Sequence, residues 1–429
     1  MTRKMKDSGV EWIGEIPQEW AVHPFKDHLL FMNRGTQPTY ADDTDFFVTN
    51  QACLSTYQLR AEKKKECEPL SGLRGRYKRG DVLVASTGEG VLGKCVLSEE
   101  AGYCDSHVSI LRPKNLDTGR YIFYWLRVNY ETVNALFAKG STKQTEFQKE
   151  LFLAFKIGFP SLPEQRAVAD YLDRQTALID QCLSTLDEKQ TVLAELRKAT
   201  IHEAVTKGLN KTAPMKGAGF VCIGTAPMHW TTVRMKDVAK LNPLTLFSKS
   251  NEVDFFPMEA IGVDGGLTFG QRKAVEQASG YSQMQNGDVC FAKVTPCFEN
   301  GKSAIVEGLA SKVALATTEI TVLRPNRKIN HHFLHYRIKG LDFAVGGANE
   351  MRGAGGLKRV PERFAADFVF QLPPLAEQRA IANHLDQQTQ QIDAQLAMLD
   401  EQSQTLKGLR KAIIHEAVTG KIDLSKTRL

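Results

Sequence analysis

The side chains that could do chemistry fall into three groups: glycine-rich turns beside Lys or Ser, adjacent His-Glu pairs, and clusters of Lys and Arg. Gly88-Glu89-Gly90-Val91-Leu92-Gly93 has the spacing of a dinucleotide-binding turn. Gly88 to Cys95 has that of a phosphate loop, with Cys95 standing where Ser or Thr would bind magnesium. The adjoining Lys94-Cys95-Val96-Leu97-Ser98 reads as a strand and not as a helix whose N-terminus could hold a phosphate. The corresponding Gly301-Lys302-Ser303 has Pro296 in place of the first glycine, so both stretches are expected to be hairpin turns. Asn242-Pro243-Leu244-Thr245 departs from the Asn/Asp-Pro-Pro-Tyr/Phe pattern of amino-methyl transfer. His202-Glu203 and His415-Glu416 sit in helical sequence, where neighbours point about 100° apart and do not converge on one substrate. They are expected to make polar contacts at a helix end. The eight cysteines form no CxxC pair and have no His at ligand spacing, so reduced thiols and no metal site are expected. No catalytic residue is assigned.

Cations are the chemistry that remains. The net charge is +6, and the excess lies at +2 over residues 1–160 and +5 over residues 213–371, which makes those stretches the anion-binding candidates. Arg60, Lys63, Lys64 and Lys65 precede a denser cluster, Arg74, Arg76, Lys78 and Arg79 around Tyr77. Lys139-Gly140-Ser141-Thr142-Lys143-Gln144 corresponds to a second small-residue loop that includes Arg352, Gly353, Gly356, Lys358 and Arg359. Lys293 ends the strand Gly287-Asp288-Val289-Cys290-Phe291-Ala292. Small residues let backbone N–H groups approach phosphates, while Lys, Arg, Gln and Thr can meet phosphates or base edges. The expected DNA-binding residues are therefore Arg74, Arg76, Lys78, Arg79, Lys139, Ser141, Thr142, Lys143, Gln144, Lys293, Arg352, Lys358 and Arg359.

The elements that would position them are set by an internal duplication. Glu164 to Thr206 aligns without a gap on Glu377 to Thr419, with 26 of 43 positions identical, too many for chance. Looser correspondences precede each copy. Ile13, Gly14, Pro17, Trp20, Lys26 and Asp27 match Ile223, Gly224, Pro227, Trp230, Lys236 and Asp237. Gly80-Asp81-Val82 matches Gly287-Asp288-Val289, and Leu111-Arg112-Pro113 matches Leu323-Arg324-Pro325. Each repeated segment reads as one long helix, since strong helix formers dominate and Pro is absent. Leu172, Ile179, Leu183, Leu186 and Leu193, like Leu385, Ile392, Leu396, Leu399 and Leu406, keep coiled-coil spacing. Thr176, Gln190 and Arg197, with Thr389, Ser403 and Arg410, are polar seam positions expected to fix register at some cost in stability. Ser161 and Glu164 have capping-box spacing, and Gly208 and Gly420 are natural stops. A helix pair alone would leave Val168, Cys182 and Leu196 uncovered.

Short β-branched runs with Gly and Pro punctuation make the segments before the helices strand-rich, so the class is α+β. The expected order is a domain at 1–160, a helix at 161–207, a linker at 208–219, a domain at 220–371, a helix at 372–421 and a tail at 422–429. The two helices are expected to pair as an antiparallel coiled coil with pseudo-two-fold symmetry. No run of apolar residues is long enough to span a membrane, and a cytoplasmic protein is expected.

This layout resembles the DNA-specificity subunit of type I restriction-modification systems. The resemblance covers nearly the full length. It is carried by Asp7 to Trp20, by the two Gly-Asp-Val strands, and by the helices opening Pro160-Ser161-Leu162-Pro163-Glu164-Gln165-Arg166 and Pro373-Pro374-Leu375-Ala376-Glu377-Gln378-Arg379. At the start of the second half, Phe220 to Trp230, the pattern is degenerate. The resemblance implies a non-catalytic chain with two target-recognition domains, each reading one half of a split, asymmetric target in double-stranded DNA. The helices would set the spacer and dock two modification subunits. Those partners would carry S-adenosylmethionine and methylate adenine at N6, and restriction subunits using ATP and magnesium would join for cleavage. The rivals are a stand-alone DNA-modifying enzyme and a coiled-coil scaffold that binds no DNA. The target sequence depends on loop geometry and is not legible.

Overall fold

The structure is a computed structural model and describes residues 3–10, 13–54, 58–70, 72–88, 90–139, 146–218, 224–244, 252–263, 265–274, 280–309, 311–354 and 356–424, with the Lys139 side chain outside them. The chain divides into two compact units, Met1–Leu186 with Glu401–Leu429, and Asp187–Asp400. Each unit therefore holds one variable domain, the opening of the long helix that follows it or its counterpart, and the closing turns of the other long helix.

In the first unit an antiparallel sheet runs in the order Leu29–Arg34, Val108–Pro113, Val82–Ala85, Cys95–Leu97. Its central strand is buried on both faces, which is why Val-Leu-Val-Ala shows no polar alternation. Val82 and Val84 face the core that holds Trp20, Phe25 and Tyr121, whereas Leu83 and Ala85 face a second core with Cys53, Tyr77 and Ile110. A second, mixed sheet, Lys65–Glu66, Phe47–Thr49, Gly102–Cys104, Arg76–Tyr77, completes the domain. The second unit repeats both sheets. Ala239–Leu241, Ile320–Pro325, Val289–Ala292 and Ser303–Ile305 form the antiparallel one, and Arg272–Ala274, Glu252–Phe256, Ala314–Ala316 and Ser282–Met284 the mixed one.

The repeated Gly-Asp-Val and Leu-Arg-Pro motifs pair with each other. Asp81 accepts from Arg112 Nε at 3.0 Å and Nη2 at 2.7 Å, and Asp288 from the same atoms of Arg324, both at 2.8 Å. Each carboxylate also accepts a turn N–H, from Lys78 or Gln285 at 2.9 Å. The turn needs its glycine, since Gly80 and Gly287 adopt φ of +88° and +89°.

The first long helix spans Leu162–Lys207 and the second Leu375–Val418. Ser161 precedes the first, as expected, but Glu164 does not close a capping box. Its carboxylate accepts from Trp20 Nε1 at 3.0 Å and pairs with Arg3. Gln165 and Gln378 satisfy the carbonyls of Pro160 and Pro373, at 2.9 and 2.8 Å, which accounts for the repeated Glu-Gln. Gly208 and Gly420 end the helices at φ of +74°. A Cβ on Gly420 would come within 2.3 Å of Pro17, so these glycines also permit close approach to the Pro-Trp motif at a domain start.

Within each unit the helices run antiparallel. Arg410 pairs with Asp180 in the first, and Arg197 donates to Asp393 at 2.9 and 3.1 Å in the second. The other polar positions behave differently. Thr176 and Thr389 turn to their own domains, where Tyr124 and Tyr336 reach them at 3.3 and 3.1 Å. Leu172 and Leu385 are fully buried in the domain cores, Ile179 and Ile392 are buried, and Leu183, Leu186, Leu193, Leu396, Leu399 and Leu406 are half-buried. Of the flanking stripe, Val168 is covered by its own domain, while Cys182 and Leu196 are exposed.

Two boundaries shift. Met215–Gly217, read as linker, is a strand paired with Thr225–Pro227, the counterpart of Met5–Asp7 paired with Glu15–Pro17. Leu424, read as tail, is buried in the core of the first unit. Because Asp288 is buried and Arg324 depends on it, Asp288→Ala is expected to cost about 3 kcal/mol. Urea unfolding checks this, and a loss below about 1 kcal/mol would show that water replaces the carboxylate.

Candidate nucleic-acid interface

The second unit shows how one of the small-residue loops is built. Arg352 and Arg359 face each other as an antiparallel bridge, N–H to carbonyl at 3.0 and 2.9 Å, with residues 353, 354 and 356–358 at the tip between them. The tip has no room for side chains at its base. Gly353 lies at φ +148°, and a Cβ there would meet the Leu357 carbonyl at 2.3 Å. Thr295 ties the loop to the end of the central strand. Its hydroxyl donates to the Gly356 carbonyl at 2.8 Å and accepts from Lys358 N–H at 2.9 Å. The Val360 N–H donates to the carbonyl of Lys293 at 2.8 Å, so the backbones of Lys293, Arg352, Lys358 and Arg359 lie close together.

They are not equivalent. Arg352 and Lys358 project from the tip, Arg352 with 83% of its side chain exposed and only a 4.0 Å approach to Glu350. Arg359 instead grips Glu319 in a fork, at 2.6 to 3.1 Å. The Arg359 guanidinium holds the Glu319 carboxyl below the usual range, so this pair presents an acceptor as well as a donor. An ionised Glu can accept from a cytosine amino group. Lys293 is half-buried beside it.

In the first unit the matching hairpin pairs Ala138–Lys139 with Glu146–Phe147 and bonds to Ser86 through the Phe147 N–H, at 3.0 Å. Ser141, Thr142, Lys143 and Gln144 lie outside the described residues, as does the Lys139 side chain. Ser86 occupies the place of Lys293. Each donates its N–H to the same neighbouring loop, to His107 at 2.8 Å in one unit and to Glu319 at 2.9 Å in the other. At this shared position the first unit carries a polar set that the sequence reading missed. Thr87 Oγ1 meets His107 Nδ1 at 2.7 Å, and Ser106 donates to Gln37 Oε1 at 2.8 Å, all at the surface. Isolated Thr, His, Ser and Gln carry no charge signal, and only the sheet brings them together.

Arg74, Arg76, Lys78 and Arg79 line the edge strand of the mixed sheet, all exposed and without an ion pair among the described residues. The equivalent edge in the second unit, Ser282–Met284, carries no charge. Of the run before it, Lys64 pairs with Glu100 and Arg60 with Glu62.

The glycine-rich motifs are turns, as expected, whereas of the two His-Glu pairs only His202 comes within ion-pair distance of a carboxylate among the described residues. Gly88 to Lys94 joins two antiparallel strands, and burial pushes the Cys95 thiol up to about 12, so it stays protonated. His202 lies half-buried with Nδ1 3.7 Å from Asp342, while Glu203, His415 and Glu416 are exposed. The described cysteines are free thiols.

Removing Lys358 with Ala should lower the slope of log affinity against log salt by about 1 if it meets a phosphate. Glu319→Gln should instead change which base is preferred, with the slope nearly unchanged. Anisotropy titrations on the assembled complex at several salt concentrations read both. An unchanged affinity, slope and preference would place this loop away from DNA.

Known proteins share this arrangement. A family model described as the type I restriction modification DNA specificity domain matches residues 76–188 and 227–399. The type I restriction enzyme EcoAI specificity subunit of Escherichia coli is 36% identical over 159 residues, 36% of this chain and only 27% of that protein. The putative type I restriction enzyme MjaX specificity subunit of Methanocaldococcus jannaschii is 23% identical over 432 residues, 96% of this chain and 95% of that one. In fold, the chain is similar to one from a structure of the assembly and conformational transition of the type I R-M system, at TM-score 0.66 and 20% identity, covering 95% of this chain and 99% of that one. The HsdS subunit from Thermoanaerobacter tengcongensis gives 0.50 at 18% identity, covering 95% and 98%. With both halves matched by the family model on a duplicated scaffold that carries different side chains at its loops, this chain belongs to the type I restriction-modification DNA specificity domain family.

Proposed function

We propose that this chain is the specificity subunit of a type I restriction-modification complex, each variable domain reading one half of a split, asymmetric target in double-stranded DNA. One observation carries the reading. The scaffold residues correspond in the two units, whereas the first has Thr87 and His107 where the second has Val294 and the Glu319–Arg359 pair. Two similar frames with different donors and acceptors at one position suit two different base sequences. The exposed cations Arg74, Arg76, Lys78, Arg79, Arg352 and Lys358 would hold the phosphates.

The long helices supply a second surface. Leu178, Leu409 and Cys182 in the first unit, and Val192, Leu196 and Met398 in the second, leave apolar area exposed on them. Two modification subunits would dock there. Those subunits would bring S-adenosylmethionine and methylate adenine at N6 after flipping it from the duplex. Restriction subunits, using ATP and magnesium, would add cleavage. No described helix is long and apolar enough to cross a membrane, and action on DNA in the cytoplasm fits that.

Mapping methylated adenines in the host tests the reading: a split motif should vanish when this gene is deleted. Replacing residues 213–371 by the matching domain of a homologue should change one half of the motif only, and changes in both halves would refute independent reading. Deleting one heptad from each helix, Leu186–Val192 and Leu399–Thr405, removes about 10 Å of helix while keeping the apolar spacing in phase. The bases read should stay the same, and the unread gap should shrink by at most about three base pairs, or activity should fail. An unchanged gap would leave the helices as a docking surface alone.

A further inference from the structure

The two units solve one packing problem in different ways, and the difference exposes a metal-binding geometry. In each, a domain helix lies against the opening of a long helix and is pinned by a tyrosine. Tyr124 donates to Asp173 at 2.6 Å, and its counterpart Tyr336 donates to Asp386 at 2.7 Å. One turn before the tyrosine, the first unit places Arg120, whose guanidinium bridges Asp170 and Asp173 and approaches Asp117. A fixed cation thus joins the two helices. In the second unit the counterparts of Arg120, Asp117 and Asp170 are His332, Ile329 and Asn383, so the cation and two of its carboxylates are lost together.

Other donors gather around His332. His331 and His332 open the helix His331–Ile338, and Glu307 reaches them from the segment after Ser303–Ile305. Glu307 Oε1 lies 3.4 Å from His331 Nε2 and 3.6 Å from His332 Nε2, and one donor atom from each residue falls within 4.8 Å of the others. Ligands about 2.0–2.1 Å from a tetrahedral zinc ion sit about 3.4 Å apart, close to these spacings. On the other side of its ring, His332 Nδ1 lies 4.0 Å from Asp386 Oδ2, beyond hydrogen-bond reach, and Nε2 is the nitrogen that faces Glu307.

We propose that Glu307, His331 and His332 bind one divalent transition-metal ion of the zinc class, at the end of a helix that lost its Arg120 counterpart to His332. Two imidazoles and one carboxylate suit zinc, nickel or cobalt rather than magnesium or calcium. The half-exposed imidazoles give the ion a path in, and water completes its coordination. Neither His spacing nor a Cys pattern announces such a site in sequence, because Glu307 arrives from the separate segment that follows Ser303–Ile305.

The test uses the full-length chain stripped with EDTA. Calorimetric titration with zinc chloride should give one ion per chain with a dissociation constant in the micromolar range or tighter, and zinc should raise the melting temperature. His332→Arg installs the residue of the first unit. It should keep the metal-free melting temperature and weaken zinc binding at least tenfold. Glu307→Gln, on an exposed side chain, provides the same readout should the arginine variant misfold. Failure of the wild type to bind zinc, or binding unaltered in both variants, as capture by the exposed Cys182 would give, overturns the proposal.

Discussion

The antiparallel register of the two long helices, held in each unit by one Arg-Asp pair, is the constraint on which the other contacts depend. Arg410 to Asp180 and Arg197 to Asp393 are the same contact made from opposite copies of the repeat. Both pairs are partly open to water, so each contributes about 0–1 kcal/mol to stability. Their weight lies in alignment. A slip along the helix would separate each charge from its partner and move the closing turns off the domains. Those turns carry the energy. Ile414 and Val418 are buried with Trp20, and Ile201 and Val205 with Trp230, and each side chain contributes about 1.5–3 kcal/mol.

The repeated residues therefore divide by task. Gly-Asp-Val and Leu-Arg-Pro join two strands through a buried carboxylate and guanidinium. Within Glu-Gln-Arg the Gln satisfies a carbonyl of the preceding segment, while the Glu serves a Trp or His at the domain start. The closing His-Glu-Ala-Val-Thr packs its Ala and Val into a core while its Glu stays in water. Between these fixtures the two units diverge. Trp20 gives its indole N–H to Glu164, while the counterpart Glu377 accepts from His229 and leaves the buried Trp230 Nε1 without a hydrogen-bond partner among the described residues. The scaffold tolerates such a loss because packing, and not that hydrogen bond, supplies most of the contact.

Much of this was legible in the sequence because duplication is a signal independent of propensity. It marks out the two long helices and their glycine stops, while β-branched runs point to the α+β class and the strand beyond each glycine-rich stretch to a hairpin. The reading went astray where a side chain serves a distant partner. Glu164 has the spacing of a cap residue, yet Trp20 lies close enough to claim it. Thr176 and Thr389 have seam spacing but meet domain tyrosines. Met215-Lys216-Gly217 looked like linker because a three-residue strand has no periodicity to detect. At the interface, cationic residues could be named from composition, but not that Arg359 would be spoken for by Glu319, nor that Gln37, Thr87, Ser106 and His107 would share one edge.

Arg3 donates to the carbonyl of Gly420 at 3.4 Å, and Gly420 rests on Pro17 and Trp20. Residues separated by almost the whole chain are thus spatial neighbours in the first unit. Gly208 rests on Pro227 and Trp230 in the same manner in the second, where helix end and motif lie close in sequence. The packing of a helix end on a Pro-Trp motif is therefore the same whether a short connection or nearly the whole chain joins the two.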